Sequence, residues 1–72
     1  MSLNKEEFRK VIEDTRVDAL NYFREFDSIN QLKNELNRQY GYAYRVGDKG
    51  VAEAIGRIEA LVEIINRKVT GS

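Results

Sequence analysis

The stretch Val51-Ala52-Glu53-Ala54-Ile55-Gly56-Arg57-Ile58-Glu59-Ala60-Leu61-Val62-Glu63-Ile64-Ile65-Asn66-Arg67-Lys68-Val69 decides the fold of this chain. Val51, Ile55, Ile58, Val62, Ile65 and Val69 recur at steps of four, three, four, three and four, a heptad seam filled only by β-branched residues. The spacing predicts a helix over about 49–69, with Leu61 and Ile64 broadening its apolar face. Such a helix is apolar around more of its circumference than a surface helix needs. It is therefore expected to be the most buried element or to face a second subunit. Ala52, Gly56 and Ala60 add a ridge of small side chains at i, i+4 and i+8, which permits a partner helix or a large aromatic to approach the backbone closely.

Upstream of this helix, Gly47-Asp48-Lys49-Gly50 has turn chemistry at every position, and Asp48 is placed as an N-cap. A second helix is expected over about 28–46. Ser28 and Gln31 fit a capping box, and Ile29, Leu32, Leu36 and Tyr40 form its stripe. Asn30, Asn34 and Asn37 weaken it, and Gly41 is an alternative stop. The first helix is expected over about 5–26. Asn4 and Glu7 resemble a capping box, and Phe8, Ile12, Thr15, Ala19, Tyr22 and Phe26 recur at steps of four and three.

Three helical segments with short connections predict an all-α fold, a small three-helix bundle forming a single domain over 1–72. A core of this size rarely supplies more than roughly 3–5 kcal/mol, and the chain has no cysteine to add a disulfide. Completion by dimerisation is the expected remedy. Val51, Ile55, Ile58, Val62 and Ile65, with the Ala52, Gly56 and Ala60 ridge, are the expected self-association residues of a homodimer.

Composition narrows the chemistry. Without histidine or cysteine, no catalytic triad, Cys-His pair or zinc finger can be assembled. The carboxylates lack Glu-x-x-Glu spacing, and the like-charged pairs Asp14 with Asp18 and Glu59 with Glu63 lie off the apolar seams, where a solvated face is the expectation. The glycines match no phosphate-binding loop. Ala52, Gly56 and Val62 match a helix-turn-helix spacing, but the apolar residues from Ile58 to Ile65 continue one heptad through the place where its turn would fall. The expected protein is therefore not an enzyme and needs no cofactor or metal.

Twelve basic and twelve acidic residues leave no net charge, so any binding to polyanions must be local. The longest run without a polar or charged side chain, tyrosine hydroxyls aside, is Tyr40 to Tyr44. It is far shorter than the roughly 20 residues of a bilayer span, so no membrane association is expected. The charged residues from Lys5 to Lys10 point to a cytoplasmic location. Only residues 28–47 carry a positive balance, three cations against one anion. In and just beyond this segment Arg38, Tyr40, Tyr42, Tyr44, Arg45 and Lys49 interleave aromatics with cations.

Tyrosine and arginine are enriched at protein hot spots, which makes this segment the expected site for a protein partner. Stacking of tyrosines on unpaired bases, with cations on phosphates, makes a nucleic-acid-binding module the alternative. Read from sequence alone, the chain is a small non-enzymatic interaction or regulatory protein that self-associates and binds a protein partner.

Overall fold

A computed structural model of the chain describes residues 2–71 and contains three helices, α1 (Lys5–Phe23), α2 (Ile29–Ala43) and α3 (Asp48–Thr70), with no strand among the described residues. The expected all-α three-helix bundle is the observed fold. Met1 and Ser72, the ends of the single domain read from sequence, lie outside the described residues.

Each helix start has a chemical cause. The Asn4 side chain accepts the Glu7 N–H at 2.8 Å, which is the first half of a capping box, while the Glu7 carboxylate accepts from the Asn4 side-chain amide instead of its backbone N–H. The Ser28 hydroxyl accepts the Gln31 N–H and starts α2 at Ile29. Gly47 is the N-cap of α3 without a side-chain bond, and Asp48 occupies the first helical turn. Asp48 thus acts on the helix dipole from inside, one position beyond the cap expected of it.

Both shorter helices end about three residues early. Phe23 closes α1, and Phe26 is carried by a turn, its N–H bonded to the Phe23 carbonyl, into edge-to-face contact with the Phe23 ring at 5.6 Å between centroids. Lys68 of α3 donates to the Phe26 carbonyl at 2.7 Å, which satisfies a backbone acceptor freed by that turn. The second helix passes through Gly41 and ends at Ala43. Its continuation is replaced by a turn in which Arg45 N–H bonds to the Tyr42 carbonyl and Val46 closes on Gly50. The third helix runs unbroken to Thr70 and ends at Gly71, whose φ of 75° is the left-handed conformation common at helix ends.

Both α1 and α2 pack on α3 and scarcely touch each other. Gly56 meets Ile12 and Thr15, Arg16 pairs with Glu63, and Lys68 reaches Phe26, so α1 and α3 run in the same direction. The second helix runs antiparallel to both and packs on α3, with Val46 against Gly50 at one end and Leu32 in the core with Leu61 and Ile64 at the other. The core is Ala19, Phe23, Leu32, Ala60, Leu61 and Ile64, flanked by Leu20, Phe26, Leu36 and Ile65. Phe23, Leu32 and Leu61 are its largest fully buried side chains, each worth about 1.5–3 kcal/mol of transfer free energy.

Two expectations about faces are corrected. The seam of α1 runs through Ala19 and Phe23, and Tyr22, expected inside, is 65% exposed. In α3 the buried residues are Ala52, Ala54, Gly56, Ala60, Leu61 and Ile64, while none of the β-branched heptad residues is buried.

A Cβ built on Gly56 would stand 2.7 Å from the Ile12 carbonyl oxygen and 2.9 Å from the Thr15 Cβ. Gly56→Ala is therefore expected to lower the unfolding free energy by about 1–3 kcal/mol through overpacking. In an open helix the same change would raise stability by about 1 kcal/mol. Urea denaturation checks the sign, and a stabilised Gly56→Ala chain would contradict the close approach.

Candidate functional site

The residues expected to mediate self-association separate into two sets. Ala52, Gly56 and Ala60 are buried, and Gly56 touches the backbone of α1, so the small-residue ridge is consumed within the chain. Val51, Ile55, Ile58 and Ile65 are half-buried, and Val62 and Val69 are 39% and 65% exposed. At about 100° per residue these six positions form one strip along α3, on the side turned away from the ridge. On α2, Ile29, Leu36 and Tyr40 share a flank that lies opposite Glu35 and Arg38. Half-exposed Ile29 and Leu36, with Tyr40 at 47%, extend the apolar character of that side of the molecule.

The tyrosine segment is likewise divided. Tyr40 and Tyr42 stand about 160° apart around α2, whereas Tyr40 and Tyr44 are near neighbours on one side. Tyr44, the C-cap, is 91% exposed, and Arg45 and Lys49 stand exposed beside it at the corner between α2 and α3. Arg57 of α3 lies over the Tyr42 ring at 5.9 Å from its centroid, a cation–π contact. The Arg38 guanidinium is bound by both oxygens of Glu35, with Nε to Oε2 at 2.9 Å. The six residues expected to form one basic aromatic surface thus occupy two sides of α2 and a corner.

Sequence reasoning did not anticipate a groove of about 500 Å³ formed where α1 and α2 stand apart over α3. From α1 it is lined by Asp18 and Tyr22, and from α3 by Glu53 and Arg57. Glu35, Arg38 and Gln39 form the α2 wall. Gln39 is only 5% exposed, its amide nitrogen donating to Glu35 at 3.0 Å. Glu35 and Gln39 stand one helical turn apart, a spacing that by itself carries no sign of their burial. Among the described residues no group of three carboxylates is arranged to hold a metal ion.

The Arg38 guanidinium holds the Glu35 carboxyl below the usual glutamate range, burial opposes this, and the Gln39 amide adds to the lowering. The unfolded chain lacks the pair, so the folded value is the lower of the two. The resulting stabilisation is complete above about pH 4.3, the ordinary glutamate value, and is lost as pH falls through the folded value. Glu35→Gln is expected to reduce stability at pH 7 modestly, since Arg38 is 69% exposed, and to flatten the acid limb of the stability profile. Urea midpoints between neutral and acidic pH read this, and an unchanged acid limb would remove Glu35 from the account.

No protein-family model matches this chain, and no curated protein and no solved structure matches it.

Proposed function

We propose that the chain is a small non-enzymatic interaction protein that forms a homodimer through the outer strip of α3 and presents the corner at Tyr44 to a protein partner. The observation that carries this reading is the half-exposed β-branched strip Val51, Ile55, Ile58, Val62, Ile65 and Val69. Half of the fully buried apolar positions are alanines, so the intramolecular core is thin while larger side chains stay partly in water.

Area supports the same reading. The chain exposes 5293 Å², whereas a compact monomer of its mass exposes about 4,600 Å². The surplus approaches the roughly 800 Å² that each partner buries in a standard interface. Zero net charge means that two copies meet without overall repulsion. At the corner, Tyr44 with Arg45 and Lys49 offers an exposed aromatic and two cations, the side-chain types suited to a protein hot spot. The nucleic-acid alternative has less support, because Tyr40 and Tyr42 diverge around α2 and Arg38 is engaged by Glu35.

Val62 and Val69 are exposed enough to carry a charge without entering the intramolecular core. Val62→Asp with Val69→Asp is expected to give a folded monomer where the parent chain is a dimer, as read by sedimentation equilibrium with circular dichroism to confirm helicity. A monomeric parent chain, or a dimer that survives both changes, would sink the proposal. Tyr44→Ala is expected to leave the melting temperature and the dimer unchanged. A loss of either would move Tyr44 from a partner surface into the structure.

A further inference from the structure

The apolar side of the molecule is wider than the α3 strip. On α2, Leu32 enters the core, while Glu35 and Arg38 line the groove toward α1. Ile29, Leu36 and Tyr40 lie on the flank turned away from α1, which at about 100° per residue borders the Ile58 and Ile65 edge of the strip. Leu36 and Ile65 pack against the same core cluster, so the two helices share one continuous face. The opposite edge of the strip is closed by charge. Glu59 stands there beside Arg9, Glu13 and Arg16 of α1, and Arg16 pairs with Glu63. The apolar face is therefore centred on the seam between α2 and α3, with α1 outside it.

Area sets how much of this face an occupant must cover. From Val51 to Val69 the strip is about 27 Å long and one helix, about 10 Å, wide, which is roughly 270 Å² in projection. That is about a third of the roughly 800 Å² each partner buries in a standard interface. The α2 flank from Ile29 to Tyr40 adds about 16 Å of a second helix, and exposed Lys33 and Glu59 at the two edges supply a polar rim. Only a face two helices wide approaches the area that a stable dimer needs.

We infer, resting on the homodimer reading, that the second copy covers α2 as well as α3. The dimer core is then a four-helix arrangement, with α2 and α3 of one protomer packed on α2 and α3 of its partner and both copies of α1 outside. A second copy fits because a two-helix layer is completed by an identical layer across a two-fold axis. Tyr40 then belongs to the dimer interface, not to the partner surface, and Tyr44 stands at its margin. An interfacial tyrosine suits this place, with an apolar ring for the face and a polar tip for the rim.

Sedimentation equilibrium of Tyr40→Lys, with Tyr22→Lys as the matched control, tests the inference. Lysine keeps helix propensity, and a cation near the end of α2 is favourable to the dipole, so unchanged circular dichroism is expected for Tyr40→Lys. In the dimer it sets an unpaired ammonium in the interface, and the dissociation constant is expected to rise by about tenfold or more. Tyr22→Lys, at a position 65% exposed on the groove side of α1, is expected to leave it unchanged. Dilution of the parent chain gives a second reading that needs no variant. Methyl resonances of Ile29 and Leu36 are expected to shift together with those of Val62, while Val17, exposed on the side of α1 away from α3, stays fixed.

A dimer that the paired Val62→Asp and Val69→Asp changes disrupt, but Tyr40→Lys does not, overturns this inference and leaves the homodimer standing. Equal weakening by both lysine variants overturns it as well, since added charge and not position then sets the effect. A monomeric parent chain overturns both readings. Where Tyr40→Lys loses helix content, the dilution shifts decide: Ile29 and Leu36 fixed while Val62 moves confines the interface to α3.

Discussion

Where α1 crosses Gly56, the Ile12 carbonyl oxygen and the Thr15 side chain occupy the place a methyl group would need. That approach brings the backbones of α1 and α3 together, and the rest of the molecule is arranged around it. Ala52 and Ala60, one turn to either side on the same ridge, are fully buried, so the contact runs along α3 instead of ending at one glycine. Small residues give up side-chain burial for proximity. Each methylene absent from this seam forgoes about 0.8 kcal/mol of transfer free energy, and dense packing of the two helices offsets part of that. The Arg16, Glu63 and Arg67 network above the seam adds little, since surface ion pairs contribute roughly 0–1 kcal/mol.

Placing the ridge inward determines where the other face of α3 lies. A helix has one circumference, and α1 takes the sector of Ala52, Gly56 and Ala60 while α2 takes the sector around Ala54 and Leu61. The β-branched heptad falls into the sector that remains. A third packing partner would have covered it, but α1 and α2 occupy the other sectors of α3, and the extents of 41 × 21 × 16 Å describe an elongated molecule. The partly covered strip is thus a geometric consequence of the glycine contact, reached without any reference to function.

Much of this arrangement was legible in the residues. Asn4 with Glu7 and Ser28 with Gln31 marked two helix starts correctly, because capping is a local interaction between residues three apart. Helix ends were less legible. Phe26 and Val46 continue an apolar period, so periodicity extended both helices over them. In the folded chain they serve the core and the Gly50 contact from turns instead. The faces of α3 were the hardest to assign. Hydrophobicity ranks valine and isoleucine above alanine and glycine for burial, whereas close helix approach reverses the order, and only the partner helix decides which rule applies.

The groove was illegible for a related reason: its walls come from three helices, and no spacing within one segment records that α1 and α2 stand apart. Both surfaces of α3 nevertheless arise from one event. Had α1 and α2 closed on each other, Asp18 and Glu53 would lose their access to solvent. Their separation leaves a furrow lined by charged and polar side chains on one side, while their shared occupation of that side leaves the apolar strip partly uncovered on the other. The two surfaces differ in physical character, one polar and concave, the other apolar and convex. They share no side chain, so substitutions on them should act additively. A chain of 72 residues with a single thin core thus keeps two separate surfaces of different character, because its longest helix is covered along only part of its circumference.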